Sequence, residues 1–436
     1  MNRLITRIVS FFLSVFLLFG WFGKTTEIKK TVTIDEICLS GVDITNGHTV
    51  TVPASSGSVC FNRVSFSYEA SAAVRAVFRY RMGAKAREEE LLLTSKARTA
   101  SLLLDGYLNR RTASRLLSVR FAPVVSGETC VFSISDFNCA IQAVPRHDTL
   151  YIENGSYKAG VSLKWGGGLC YFEDKRSSKY GNLLNNHDTG RLVQQSYYGP
   201  GQIDGYENGV YMNYVWGYNP VQGGDQYGNS SRLIAVDKTD EEIRVVCRPL
   251  DWALNNVQTQ TYYTNVYRLT DTGLTVKNTA VDFLQTEWPP ANSQEIPALY
   301  TISALGNFWF YDGDKPWTNA PLRVERELPF WGNSEGFALQ KGNSETWCAW
   351  TDDADYGLGI FTPTATCLKA GRFEYDGSSD PGANPTNYVA PLGFFKLSFD
   401  EPYTYDYFLT TGKIDKIRST FLDARNLSGS FDTYTF

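Results

Sequence analysis

Histidine is almost missing from this chain: three residues in 436. That scarcity argues against a centre built from several imidazoles, whether a zinc site or a paired-histidine acid/base device. Eight cysteines are present, but none forms a C-x-x-C pair, so zinc-ribbon and thioredoxin-type readings find no support. A Walker-type phosphate loop and an H-E-x-x-H helix are absent as well. No basic excess exists, since 46 acidic residues outweigh 41 basic ones and the net charge is −5. A dedicated nucleic-acid binder is therefore not expected. No apolar run reaches the roughly twenty residues of a membrane span.

The longest such run, Ile8–Phe22, has its own meaning. Arg3 and Arg7 precede it and Lys24-Thr25-Thr26 follows, which is the order of an export signal. No small-x-small cleavage site is evident, so a cleaved peptide and an uncleaved, membrane-attaching anchor both fit. The expectation is a secreted or extracytoplasmic protein. In that compartment disulfides are allowed. Cys60, Cys170 and Cys247 nevertheless sit in apolar, strand-like runs, where buried free thiols are the default.

What the chain has in quantity is aromatic residues: 26 Tyr, 26 Phe and 10 Trp. Most suit a pleated, half-buried sheet surface, and a few are available to stack on the apolar faces of sugars. Strand signals dominate. Val74, Ala76, Phe78 and Tyr80 alternate with Arg75, Val77, Arg79 and Arg81, a period of two. Ala86–Leu104 reads equally as a helix or as two short strands. After about residue 148 the chain becomes rich in Gly, Tyr, Trp and Asn. Strands are predicted at Ile243–Cys247, Tyr262–Leu269, Thr275–Phe283, Leu322–Leu328 and Phe394–Asp400, with no helical periodicity among them. The fold class is all-β, with residues 1–23 a signal peptide or anchor. Residues 24–147 form an N-terminal β-sandwich module, and 148–436 a large two-sheet supersandwich. Basic residues outnumber acidic ones 11 to 4 between positions 71 and 120, which marks a solvated basic face or one facing an anionic glycan.

Three segments concentrate polar chemistry. Asn182–Tyr198 places Asn185, Asn186, His187, Asp188 and Arg191 within seven positions and adds Gln194, Gln195, Tyr197 and Tyr198. Asp188 or His187 can act as general acid or base, and Arg191 can hold a carboxylate. The plain alternative is a turn in which Asp188 caps backbone amides and pairs with Arg191. Trp216–Asn229 offers Trp216 and Tyr218 for stacking and Asn219, Gln222 and Asp225 for hydroxyls. Its four glycines permit close backbone approach or simply a loop. Thr286–Tyr300 carries Glu287, Glu295 and Tyr300 beside stiffening prolines.

A glycoside hydrolase needs two carboxylates flanking the bond, about 5–5.5 Å apart for retention and about 6.5–9.5 Å for inversion. Asp188 with Glu295 is the preferred pair, with Glu207 and Glu287 in reserve. His187, Arg191 and Tyr197 would tune that pair. Substrate contacts would come from Asn186, Gln195, Tyr198, Glu207, Trp216, Tyr218, Asn219, Gln222, Asp225, Trp252, Glu287 and Tyr300. No cofactor and no catalytic metal are expected. Asp312–Asp314 is a candidate only for a structural calcium.

Six stretches carry a resemblance. They are LKWGGGLCYF at 163–172, NLLNNHDTGRLVQQSYYG at 182–199, GYNPVQGGD at 217–225, RPLDWALNN at 248–256, QEIPALY at 294–300 and YGLGIFTP at 356–363. Together they resemble exported bacterial proteins of the galactose-mutarotase-like β-supersandwich group, over roughly residues 155–415. The resemblance implies a supersandwich that holds a sugar chain on its concave face or at one edge. Its carbohydrate-active members include glycoside hydrolases, polysaccharide lyases and epimerases. The paired histidines of aldose epimerases are missing, which counts against simple mutarotation. Fold alone does not choose among the rest. A glycoside hydrolase on an extracellular glycan is the leading expectation. A lyase using Tyr197 or His187 as base, with Asn186 and Arg191 neutralising a uronic acid, is second. A non-catalytic glycan-binding surface protein is third.

Overall fold

The structure, a computed structural model, describes residues 26–104, 112–143, 145, 147–201, 209–211, 213–328, 337–338 and 345–425. The apolar segment 8–22 and Glu207 lie outside them. Among the described residues no helix is long and apolar enough to cross a membrane.

The first 142 residues contribute two facing sheets. Ile28–Thr33, Val131–Gln142, Arg63–Ala70 and Thr99–Leu103 make one, with Leu39–Asp43 added to Val131–Gln142. His48–Thr51, Arg115–Pro123, Val74–Met82 and Lys85–Leu93 make the other. The alternation read in Val74–Met82 is real: Val74, Ala76, Phe78, Tyr80 and Met82 are buried, while Arg75, Arg79 and Arg81 are exposed. Buried rings knit the two faces, with Phe78 stacked on Phe137 at 6.3 Å and Phe121 against Phe132 at 4.8 Å. The ambiguous stretch 86–104 resolves as two strands. Arg75 binds Glu90 at 2.8 Å across the first pairing, and the Thr94–Arg98 turn separates it from the second. A helix would have left Leu91, Leu92 and Leu93 on three different faces, whereas here they close the sandwich edge.

The remainder is built from three larger antiparallel sheets and the two-stranded hairpin Gly209–Trp216. Thr149–Glu153, Tyr157–Ser162 and Gly168–Asp174 form the smallest. Seven strands follow the order Leu250–Asp251, Pro220–Val221, Gln194–Ser196, Asn292–Ile302, Thr386–Phe395, Cys367–Phe373 and Phe337–Ala338. Nine strands, from Arg232–Lys238 at one edge to Arg323–Glu325 at the other, form the largest, with Thr261–Thr270, Gly273–Asp282 and Tyr403–Lys413 near its centre. One apolar layer joins all three sheets. Leu299 and Val389 reach it from the seven strands, Val276 and Leu409 from the nine, and Phe172 from the three. The other face of the nine-stranded sheet meets the N-terminal sandwich, whose core takes in Ile234, Tyr262, Val281 and Phe283.

Three expectations need correction. Ile414–Arg425 is an α-helix. Only Ile414, Ile417 and Phe421 are large apolar residues turned inward, too few among charged neighbours to give a strong sequence period. The strand expected at Phe394–Asp400 ends at Phe395, after which the chain turns so that Phe399 can bridge to Asp282. Cys60 is exposed rather than buried, because it precedes the bridge in which Phe61 takes the inward position; Cys170 and Cys247 are buried as expected. All eight cysteines are free thiols.

The C-terminal helix is held by a buried ion pair. Arg418 donates from Nε and Nη2 to Glu345, which has no solvent exposure. Trp347 Nε1 at 2.6 Å and the Trp317 amide at 2.7 Å complete the carboxylate's shell. Removing one partner strands a charge in the interior, so Glu345→Ala is expected to cost about 3–5 kcal/mol. Urea denaturation followed by tryptophan fluorescence measures it, and a loss below about 1 kcal/mol would contradict this account.

Candidate active site

The outer face of the seven-stranded sheet, away from the shared apolar layer, carries a cavity of about 390 Å³. That is within the range of small-molecule sites. Strand alternation decides which side chains reach it. Along 194–198, Gln194, Ser196 and Tyr198 line the cavity. Gln195 and Tyr197 point the other way, with the Tyr197 hydroxyl donating to Gln195 Oε1 at 2.8 Å and its ring edge-on to Tyr263 and Phe395. In the neighbouring strand Glu295, Ala298 and Tyr300 face the cavity, although the first two are an odd number of positions apart. The register shifts between Glu295 and Leu299, and that bulge changes the parity, leaving Ile296 and Leu299 in the core.

Glu295 is the central group. It is buried, and its Oε1 accepts from Tyr388 Oη at 2.5 Å and Tyr198 Oη at 3.3 Å. Burial pushes its carboxyl up, and the two hydroxyls and Lys369 oppose that only in part. Burial and the neighbouring carboxyl in turn raise Tyr198 and Tyr388, so both phenols remain donors. Tyr300 is raised by burial and by Glu295 and Asp188 together, which places it under the influence of both carboxyls.

Asp188 and Arg191 form the rim. Asp188 is 46% exposed, accepts the Gly190 amide at 2.9 Å and lies 3.5 Å from Arg191 Nε. Arg191 also donates to the carbonyl of Asn384 and, at 2.8 Å, to its Oδ1, and it lies over the Phe373 ring. The turn reading of this segment was thus right about the local bonding, while the cavity shows that both side chains also face open space. A ribbon of rings makes the wall: Tyr198 to Trp216 at 6.1 Å, Trp216 to Tyr211 at 5.6 Å, Tyr211 to Trp252 at 5.5 Å. The hairpin Gly209–Trp216 supplies two of them. It sits tightly on the Trp252 loop because Gly209 lacks a Cβ, which would fall 2.2 Å from the Ala253 carbonyl.

Of the residues expected from sequence, Asp188, Arg191, Tyr198, Trp216, Asn219, Trp252, Glu295 and Tyr300 converge here. The others do not. His187 is exposed, its Nδ1 2.7 Å from the Gly382 carbonyl, and Asn186 binds the Cys170 carbonyl. Gln195, Tyr197, Tyr218 and Gln222 lie in the interior; Tyr218 Oη meets Thr261 Oγ1 at 3.0 Å and Gln222 Nε2 meets Asn265 Oδ1 at 2.9 Å. Asp225 is a loop clamp, accepting from the Tyr227, Asn229 and Asn256 amides at 2.7–2.9 Å. Glu287 is exposed and paired with Lys396 at 2.9 Å. Each of these has the right chemistry on the wrong side of a strand or in a turn.

Ser196, Tyr211, Phe373 and Thr386 were not anticipated, and Gln194 was named in its polar segment without a role. The alternation of Gln194 and Ser196 with Tyr198 was the available signal. Among the described residues no three His, Cys, Asp or Glu converge as a metal site, and Asp312 is engaged by Arg323 at 3.0 Å. The one Gly-x-Ser-x-Gly string, Gly332-Asn333-Ser334-Glu335-Gly336, lies outside the described residues.

No family model matches the chain, and no curated protein matches it in sequence. Solved structures with which it shares some shape include a galactose mutarotase-like protein from Lactobacillus casei, at TM-score 0.38 and 13% identity over 61% of this chain and 100% of that one. A galactose mutarotase-like protein from Clostridium acetobutylicum gives 0.36 and 9%, over 61% and 95%. The 4-alpha-glucanotransferase of Thermococcus litoralis gives 0.32 and 10%, over 60% and 37%. The first two bear the description of the group that the sequence resembles. At such scores the likeness carries no functional weight, and the cavity must speak for itself.

Because the folded carboxyl of Glu295 is raised above its ordinary 4.5, the fold binds its proton more tightly than the unfolded chain does. That contribution is full below pH about 4.5 and is lost as pH rises through the folded pKa. Glu295→Gln cannot titrate. Its melting temperature relative to the parent is expected to rise with pH from 4.5 to 8, and thermal scans showing a flat or falling difference would refute the assignment.

Proposed function

We propose that this cavity is the active site of a carbohydrate-processing enzyme, a glycoside hydrolase in which Glu295 is the general acid and Asp188 the second carboxylate. One observation carries the reading. A carboxyl held toward its protonated form lies at the floor of an aromatic-walled cavity, and a second carboxylate faces the same space from the rim. Protonating a glycosidic oxygen requires an acid that holds its proton beyond the ordinary carboxylate range, and burial away from water is a known way to make one. Trp216, Tyr211 and Trp252 offer flat faces to pyranose rings, and Asn219, Gln194 and Ser196 offer hydrogen bonds to hydroxyls.

The elimination route is less well served. It calls for Tyr197 or His187 as base, and these face the core and the solvent. A binder without turnover uses the same walls, but gives no reason to bury an unpaired carboxyl beneath them. With this function go two further proposals. The apolar segment 8–22 directs the chain out of the cytoplasm, and the sandwich up to about residue 147 is an accessory module.

The test is incubation with plant and bacterial glycans, following both new reducing ends and ultraviolet absorbance of unsaturated sugars. Reducing ends without unsaturation are expected. Glu295→Gln should lower kcat about 10²–10⁴-fold and remove the fall of activity that otherwise accompanies rising pH. Trp252→Ala should act mainly on KM. Full activity in folded Glu295→Gln and Asp188→Asn would end the hydrolase reading, and unsaturated products would replace it with elimination.

A further inference from the structure

A second cleft, of about 370 Å³, separates the N-terminal sandwich from the nine-stranded sheet. One wall is the outward face of Arg63–Ala70 and its neighbours, where Ser65 stands beside Ser101 and one step from Ser67. The opposite wall is apolar, made by Val246, Val281 and the ring of Tyr262. At one end two guanidinium groups share a single carboxylate. Arg63 Nη1 is 2.6 Å and Arg244 Nη1 3.9 Å from Asp237. Arg63 is only 9% exposed, and its Nε has no hydrogen-bond partner. The other acid of the cleft, Asp136, is exposed and accepts from its neighbour Ser135.

We infer that this cleft is a second ligand site, taking a single sugar unit that bears a carboxylate or sulfate group. Three complementarities lead there. At the arginine end two guanidinium groups share the one carboxylate of Asp237, with Glu242 acting on Arg244 besides, and an anion's oxygens would meet that pair of guanidinium groups. The serine row suits hydroxyls, and the Tyr262 wall suits the C–H face of a pyranose. Burial lowers the Arg244 guanidinium, the direction expected of a cation short of counter-charge. The site lies on the opposite face of the nine-stranded sheet from the aromatic cavity and does not depend on what that cavity does.

Calorimetric titration of the whole protein with glucuronate, glucose and inorganic sulfate tests it. Glucuronate is expected to bind one site at least about tenfold more tightly than glucose. Arg244→Gln should abolish that preference, Ser101→Leu should block binding by filling the cleft, and Arg244→Lys, which keeps the charge, should retain part of it. Trp252→Ala, in the other cavity, should leave it unchanged. Equal binding of glucose and glucuronate, or binding lost in Trp252→Ala but kept in Arg244→Gln, would overturn the site. Sulfate binding as tightly as glucuronate would overturn its assignment to a sugar.

Discussion

The central strands of the seven-stranded sheet, Asn292–Ile302, Thr386–Phe395 and Cys367–Phe373, give one face to the apolar layer shared with the nine-stranded sheet. The cavity is what remains on the other face. Because side chains alternate, the register that buries Tyr197, Ile296, Leu299 and Val389 is also the register that presents Tyr198, Glu295, Tyr300 and Thr386. A one-residue slip would exchange the two sets and put a carboxyl into the core. The apolar layer thus fixes the site's geometry without touching it, and the bulge after Glu295 is the one place where the alternation is reset.

The nine-stranded sheet is constrained differently, since both its faces are covered. On the far side Arg232 pairs with Glu89, Arg248 with Glu90 at 3.2 Å and Arg63 with Asp237 at 2.6 Å, while the Leu92 amide donates to Tyr262 Oη at 3.2 Å. Half-buried ion pairs of this kind contribute little net stability, because desolvation offsets the attraction. Their effect is to define one docking arrangement, since any other would leave charges unpaired. The outer face of this sheet therefore mixes Arg244, Arg248 and Tyr262 among its valines, where a core-only sheet would be uniformly apolar.

These two constraints explain what could be read from sequence. The all-β class, the alternation of Val74–Met82 and the central strands were legible because periodicity is a local property. So was the convergence of Asp188, Arg191, Trp216, Trp252 and Glu295, which lie in segments dense with polar and aromatic residues. What stayed hidden depended on direction. Nothing local says that Tyr198 faces outward and Tyr197 inward, or that Asp225 closes a loop rather than meeting a ligand. The helix Ile414–Arg425 escaped notice because its order rests on Glu345, seventy residues away in sequence, and not on its own periodicity.

The environments of the two carboxyls differ in a way that bears on their chemistry. Asp188 is half in water, bonded to a backbone amide and next to a guanidinium. Glu295 is buried and accepts from the neutral hydroxyls of Tyr388 and Tyr198, with Leu392 paired beside it and Lys369 a weaker influence. A carboxyl raised by burial, as Glu295 is, suits the role of proton donor in the proposed reaction. Symmetric burial would have made the pair interchangeable. Tyr300 feels both carboxyls, and burial together with them raises its hydroxyl, so it stays a donor beside them. Under the proposed hydrolase reading, the proton would come from Glu295 at the floor of the cavity, below the rings of Trp252 and Trp216, and not from Asp188 at the rim.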